Sequence, residues 1–169
     1  MRTIPIVFVI DDDAAVRDVI RDLLLSLGHT VESFGSAEEF LARRDPPAAG
    51  CLVLDVRLPG TSGLELQKRL VAQKDRIPII FISGYGDVPM AVQVMKAGAV
   101  DFLQKPFREQ ELLECVQAAL RRDQAQREVE EKVSGMLDGY RSLTKREREI
   151  MKLVVTGQKV WTSFGDIAD

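Results

Sequence analysis

Two hydrophobic patterns alternate along the first 107 residues of the chain. Short apolar runs rich in β-branched residues recur at Ile6–Ile10, Thr30–Phe34, Cys51–Leu54, Ile77–Ile82 and Val100–Leu103. The segments between them repeat apolar side chains at helical spacing, as Val16, Ile20 and Leu24 do in the first. Strand–helix alternation of this kind implies right-handed crossovers and a parallel sheet covered on both faces. The pattern therefore predicts an α/β, doubly wound (βα)5 fold with a five-stranded parallel sheet.

The pattern after residue 107 is helical but less regular. A fifth helix is predicted from Arg108, and the charged stretch 121–132, free of proline and glycine, predicts that it continues as a linker. Gly135 and Gly139 then loosen the pattern, and Lys145–Val155 is amphipathic again. We therefore divide the chain into a first domain at 1–121, a helical linker at 122–142 and a helical C-terminal segment at 143–169.

Composition limits the class of protein. The 169 residues are 46% hydrophobic and 29% charged with a net charge of −3, as in ordinary globular proteins. The apolar runs are too short for a membrane span or a signal-peptide core, and Cys51 and Cys115 lack metal-ligand spacing. These observations predict a cytoplasmic protein with reduced cysteines. The only histidine, His29, lies in a turn, which argues against catalysis by histidine.

Polar side chains follow four of the predicted strands. The first strand ends in Asp11-Asp12-Asp13, the third in Asp55, the fourth in Ser83 and the fifth in Gln104-Lys105-Pro106. In a doubly wound sheet, ligands bind beyond the carboxyl ends of the strands, where the strand order reverses. Carboxylates, a hydroxyl and an ammonium group therefore converge on one small cleft.

This combination predicts a site for Mg²⁺ and a phosphoryl group. Mg²⁺ prefers a few carboxylate oxygens and takes the rest of its shell from water and phosphate. A carboxylate beside it can act as the nucleophile toward phosphorus, while a lysine and a hydroxyl hold the phosphoryl oxygens. Each feature alone also has a structural interpretation, since Asp13 could cap the helix that follows and Lys105-Pro106 could be a turn. Their joint occurrence at the correct strand ends favours the functional interpretation.

Residues 4–121 resemble the receiver domain of two-component response regulators, which has a flavodoxin-like (CheY-like) fold. The matching motifs are Val9-Ile10-Asp11-Asp12-Asp13, Leu54-Asp55-Val56-Arg57-Leu58-Pro59, Ser83-Gly84 and Asp101-Phe102-Leu103-Gln104-Lys105-Pro106-Phe107. The runs 84–92 and 95–99 are similar to the FixJ-like branch, whose members carry LuxR-type output domains.

The resemblance implies roles for the residues of the cleft. Asp55 would be the phospho-acceptor for a sensor histidine kinase. Asp12 would bind Mg²⁺ directly, Asp11 through water, and Asp55 with the backbone carbonyl of Arg57 would complete the protein ligands.

The resemblance also implies a conformational switch. Ser83 would bond the phosphoryl group and Lys105 would pair with it, across a cis Lys105–Pro106 bond. Phe102 occupies the aromatic switch position without a hydroxyl, so only burial of its ring can report the change. The face formed by the fourth helix, the fifth strand and the start of the fifth helix would change and support a homodimer.

The C-terminal segment resembles the opening helix of a LuxR-type helix-turn-helix domain over Leu143–Gln158, and then departs from it. No recognition helix follows before Asp169, so we expect no sequence-specific DNA binding by this chain. DNA is expected as a partner only if the output domain is complete in the natural protein. The basic residues of this segment could still touch phosphates, or could form the solvated face of a helix.

Two other functions compete with a transcriptional response regulator. A phosphatase of the haloacid-dehalogenase type also uses an aspartate nucleophile, but it needs a second acid where this chain has Arg57. A stand-alone or truncated receiver that sequesters a kinase or another protein is the second alternative. We therefore expect a phospho-acceptor protein and not a metabolic enzyme.

Overall fold

A computed structural model of the protein describes residues 3–43, 49–86 and 88–156. The chain divides into two compact units, Met1–Gln126 and Arg127–Asp169. The strands of the first unit are β1 (Ile6–Ile10), β2 (Thr30–Phe34), β3 (Gly50–Asp55), β4 (Ile79–Ser83) and β5 (Asp101–Gln104). The helices are α1 (Ala14–Ser26), α2 (Ala37–Arg43), α3 (Gly63–Ala72), α4 (Val88–Lys96), α5 (Glu109–Ser142) and α6 (Lys145–Val155). The predicted alternation of strands and helices is confirmed.

The strands form one parallel sheet in the order β2-β1-β3-β4-β5. The order reverses at β1 and β3, because β1 pairs with β2 on one side and with β3 on the other. Such a reversal opens a crevice at the carboxyl ends of the strands, which here are Ile10 and Asp55. The predicted doubly wound, flavodoxin-like fold is confirmed.

Apolar residues on both faces of the sheet form the core. In β1, Val7 and Val9 face α1 and α5, whereas Phe8 and Ile10 face the cluster that includes residues of α2, α3 and α4. All six residues of the central strand β3 are buried. A strand covered on both faces needs apolar residues at consecutive positions, which explains the unbroken hydrophobic run 51–54.

Polar side chains define where the helices begin. Ser62 and Glu65 form a reciprocal capping box at α3. At α2, Ser36 Oγ accepts the Glu39 N–H, and the Glu39 carboxylate accepts the N–H of Gly35. In a capping box the acidic side chain accepts the N–H of the capping serine, so at α2 this hydrogen bond comes from one residue earlier than in the motif.

The long helix α5 includes the whole of the predicted helical linker 122–142. It continues without a break through Gly135 and Gly139, where the predicted pattern loosens. A glycine in a helix costs about 1 kcal/mol relative to alanine, and the surrounding Glu, Lys, Arg, Met and Leu residues favour the helix. The helix ends at Ser142, and Thr144 and Glu147 form a capping box that starts α6. The remainder of the predicted C-terminal segment, residues 157–169, lies outside the described residues.

Both cysteines are buried and form no disulfide. Burial raises the pKa of Cys51 to about 12 and is also the main reason that the pKa of Cys115 is about 12. Each thiol is therefore protonated and unreactive at neutral pH. Within the three described ranges, no helix is both long enough and apolar enough to cross a membrane.

Candidate functional site

The carboxyl ends of four strands bring the predicted polar residues together. Carboxylate oxygens of Asp11, Asp12 and Asp55 lie within 4.8 Å of one another. The ammonium group of Lys105 contacts two of these carboxylates. Since parallel strands end at the same edge of a sheet, residues far apart in the sequence meet in this crevice.

Asp11 is completely buried and both of its carboxylate oxygens accept hydrogen bonds. Oδ1 accepts the N–H of Asp13 at 2.9 Å and Oδ2 accepts Nζ of Lys105 at 2.7 Å. The Arg17 guanidinium donates to the Asp11 carbonyl and so fixes the main chain at the end of β1. No sequence pattern indicates this contact of Arg17, because it depends on the turn of the chain into α1.

Asp55 ends β3 and is 6% exposed. Its Oδ1 accepts the N–H of Arg57 at 3.0 Å and its Oδ2 accepts Nζ of Lys105 at 3.1 Å. The pKa of the Asp55 carboxyl is raised, because burial disfavours the charged form and the negative charge of Asp11 adds to this effect. The Arg57 N–H and Lys105 oppose that rise without cancelling it.

Lys105 is the only cation among the described contacts of the two buried carboxylates. Burial acts to lower its pKa, but the hydrogen bonds and charges of Asp11 and Asp55 outweigh burial, so the pKa of Lys105 is raised. The Lys105–Pro106 peptide bond is cis, and the Lys105 N–H donates to the Ser83 carbonyl at 2.8 Å. These contacts hold one ammonium group against two carboxylates, and the Asp12 carboxylate lies close to both, which leaves an excess of negative charge.

The two other aspartates of the first loop differ in their surroundings. Asp12 is exposed, so its carboxylate is open to an ion arriving from solvent. Asp13 caps α1, where its carboxylate accepts the N–H of Ala15 at 2.9 Å and that of Val16 at 3.4 Å. The interpretation of Asp13 as a helix cap is confirmed.

The loops beside Asp55 carry further predicted residues. Ser83 is buried, and its Oγ accepts the N–H of Tyr85 at 3.1 Å. The Arg57 guanidinium lies 4.8 Å from the centre of the Tyr85 ring, a cation–π contact that joins the loops after β3 and β4. Sequence reasoning missed this role of Tyr85, because nothing in the local pattern pairs it with Arg57. Phe102 is partly buried and packs against the core.

The donor set fits a hard divalent cation. The site groups three carboxylates, whose oxygens are the kind of ligand that Mg²⁺ prefers, and one of them is exposed to solvent. The excess negative charge that remains after Lys105 is counted would attract such an ion. Participation of the Arg57 carbonyl stays a prediction.

A family model, related sequences and a solved structure all match most of this chain. The family model described as "Response regulator receiver domain" matches residues 7–117. The chain is 51% identical over 152 residues to nodulation protein W of Bradyrhizobium diazoefficiens, covering 90% of this chain and 67% of that protein. It is 42% identical over 151 residues to the transcriptional regulatory protein FixJ of the same species, covering 89% of this chain and 74% of that protein. The structure is similar to that of the response regulator StyR, with 45% identity, a TM-score of 0.87, and coverage of 98% of this chain and 83% of that chain.

Proposed function

The chain belongs to the response regulator receiver family, and we propose that it accepts a phosphoryl group on Asp55 from a sensor histidine kinase. One observation carries the proposal: Asp55 is buried at the crevice, bonded to Lys105 and placed beside two further carboxylates. A buried carboxylate with a raised pKa in a cleft is typical of a functional site. Its position at the end of the central strand β3 keeps the nucleophile rigid.

Mg²⁺ is the proposed cofactor. Asp12 would bind it directly, Asp11 through water, and Asp55 and the Arg57 carbonyl would supply the remaining protein oxygens. When bound, Mg²⁺ offsets the negative charge that the phosphoryl oxygens bring into the cleft.

The transfer is a substitution at phosphorus. A carboxylate oxygen of Asp55 forms a bond to phosphorus while the bond from phosphorus to the kinase histidine nitrogen breaks, and the imidazole leaves with the electron pair. Lys105 then pairs with a phosphoryl oxygen, and the Ser83 hydroxyl donates a hydrogen bond to another. Lys105 is already held at the cleft by Asp11, so it does not have to be recruited from solvent.

The output proposed for this reaction is a change of surface. Movement of Ser83 toward the phosphoryl group would let Phe102 turn inward and would alter the face formed by α4, β5 and the start of α5. Large apolar side chains of α4 are exposed there, namely Val88, Val92 and Met95. Their exposure supports a homodimer that forms through this face on phosphorylation.

The relatives support a role in transcription, since FixJ is named a transcriptional regulatory protein. We infer that residues 1–121 receive the phosphoryl group and that residues 122–142 link them to an output segment at 143–169. DNA is a partner only where the output domain is complete, and the expected compartment is the cytoplasm. Basic side chains on α6 would give weak, salt-sensitive contacts to phosphate without reading a sequence.

Phosphorylation of purified protein by acetyl phosphate and Mg²⁺ tests the proposal. Intact-mass analysis is expected to show one added phosphoryl group, lost in Asp55→Asn because the nucleophilic oxygen is removed. Asp22→Asn is the matched control, since Asp22 is exposed on α1 away from the strand ends. Retention of the added mass in Asp55→Asn would place the acceptor elsewhere. Steady release of phosphate from small phosphomonoesters would instead support a phosphatase.

A further inference from the structure

Gly86 lies in the loop between β4 and α4 and is covered by the ring of Phe102. A Cβ atom added to Gly86 would lie 2.3 Å from Cζ and 2.6 Å from Cε1 of that ring. Non-bonded carbon atoms prefer separations of about 3.5–4.0 Å, so the ring occupies the space that any side chain at position 86 would need.

The backbone does not explain the glycine. The glycines with positive φ among the described residues are Gly28, Gly50, Gly60 and Gly98, so Gly86 has a backbone conformation open to other residues. Gly84, two residues earlier in the same loop, also lacks a positive φ, and a Cβ there would meet nothing within 4 Å. The requirement for glycine at position 86 is therefore steric, and the aromatic ring imposes it.

A short path connects this contact to the phosphoryl site. The Tyr85 N–H donates to Ser83 Oγ at 3.1 Å, and Gly86 is the next residue along the chain. A hydroxyl can accept one hydrogen bond while it donates another, so Ser83 can keep Tyr85 when it turns toward a phosphoryl oxygen. A displacement of Ser83 would then move the main chain on which the Phe102 ring lies.

We propose that Gly86 is a positioning residue for the switch: because it has no side chain, the Phe102 ring can occupy its resting orientation against the loop after β4. This inference rests on the proposed function, because the resting orientation is defined by the proposed movement of Phe102 on phosphorylation. Gly86→Ala forces the ring away from this position without phosphorylation. Because the ring is only partly buried and the clashing atoms are its outer ones, we expect the population of the resting orientation to fall by about 5-fold, the low end of what overpacking costs.

The test follows the ring directly. In protein labelled with 4-fluorophenylalanine, the Phe102 signal is assigned from its absence in Phe102→Leu. Wild-type protein is expected to show a shift of this signal on addition of beryllofluoride and Mg²⁺. Gly86→Ala is expected to start from a displaced signal and to respond much less, whereas Gly84→Ala starts from the wild-type signal. An unshifted resting signal in Gly86→Ala would overturn the proposal.

A double-mutant cycle on chemical unfolding, run without phosphate or beryllofluoride, tests the steric cause separately. Gly86→Ala is expected to reduce the folding equilibrium constant in wild-type protein and to change it little in Phe102→Ala, where the ring is gone. Equal losses in the two backgrounds, or a double variant that does not fold, would contradict the role of Gly86. If beryllofluoride fails to bind wild-type protein, the phosphorylation proposal fails, while this cycle still decides the contact between Gly86 and Phe102.

Discussion

A buried aspartate lies at each end of strand β3, but the two aspartates differ in the groups that bind their carboxylates. Asp55, the last residue of the strand, is 6% exposed and contacts the side chain of Lys105. Asp123 on α5 is 7% exposed, and its Oδ2 accepts the N–H of Gly50, the first residue of the strand, at 3.0 Å. The Asp55 carboxylate is therefore bound at a cleft by the Lys105 ammonium group and the Arg57 N–H, whereas the Asp123 carboxylate accepts a main-chain N–H from the first residue of the sheet's central strand.

The surroundings of the two aspartates also differ, in charge at the carboxyl end and in available space at the amino end. At the carboxyl end, two neighbouring carboxylates crowd Asp55, and one ammonium group does not balance the three negative charges. At the amino end, the φ of Gly50 is +141°, and a Cβ there would lie 1.8 Å from the Ile6 carbonyl oxygen. The carboxyl end of β3, where phosphorylation is proposed, therefore has excess negative charge. The amino end, where Asp123 of α5 contacts Gly50, has no room for a side chain. A buried aspartate can take part in chemistry or can join two structural elements, and the groups that contact its carboxylate indicate which of the two it does.

The largest expected effect is on the rate of phosphorylation at the carboxyl end. Lys105→Met removes the cation that pairs with the incoming phosphoryl oxygens, and loss of one such donor costs about 10²–10³ in rate. Stopped-flow measurement with acetyl phosphate and Mg²⁺ would report the change. Lys68→Met, an exposed lysine on α3, is the matched control. A reduction of Lys105→Met no greater than that of the control would remove Lys105 from the reaction.

The next effect concerns the metal. Mg²⁺ that binds only the folded protein stabilises it by about 2.7 kcal/mol at 100 times the Kd. We expect Mg²⁺ to raise the Tm of the wild-type protein and to have much less effect on Asp12→Ala, because the exposed ligand is missing. Calorimetry with and without Mg²⁺ gives the difference. An equal increase in both proteins would mean that the cation binds away from Asp12.

The contrast between the two ends also explains what sequence reasoning could predict. The alternation of apolar runs specifies five strands and their helices, and the residues at the strand ends specify the cleft, because the topology alone brings them together. The contact between Asp123 and Gly50 joins residues 73 positions apart and has no motif. The predicted first domain ends at 121, whereas the compact unit extends to Gln126 and so includes this contact.

Other contacts depend on geometry that no pattern encodes. The Arg57 guanidinium lies over the Tyr85 ring only because the loops after β3 and β4 are adjacent in space. Gly86 is indistinguishable in sequence from a flexible loop glycine, and its contact with Phe102 depends on the pairing of β4 with β5. The loosening of the pattern at Gly135 and Gly139 does not interrupt α5, because two glycines do not outweigh the helix-favouring residues around them.

An intermediate effect is expected at the amino end. Asp123→Ala leaves the buried Gly50 N–H without this acceptor, which costs about 1–3 kcal/mol of unfolding free energy. Phosphorylation of Asp55 should proceed at the wild-type rate, since the two aspartates lie at opposite ends of β3. Urea unfolding and acetyl phosphate kinetics on the same variant test both statements. A slower reaction with unchanged stability would reverse the roles assigned to the two ends.

The smallest expected effect distinguishes a helix cap from a metal ligand in the loop after β1. Asp13 is adjacent to the proposed metal ligand Asp12, but its carboxylate caps α1 and is not counted among the ligands. Asp13→Ala should therefore lower the free energy of unfolding by about 1 kcal/mol, the usual cost of losing such a cap. The Asp13 main-chain N–H, which donates to Asp11 Oδ1, remains in the variant, so the Mg²⁺-dependent rise in Tm should be unchanged. Asp13→Asn keeps a capping oxygen and should restore most of the lost stability, because asparagine caps helices about as well as aspartate. A variant that keeps its stability but loses the response to Mg²⁺ would make Asp13 a ligand, and the division between capping and metal-binding aspartates in this loop would have to be redrawn.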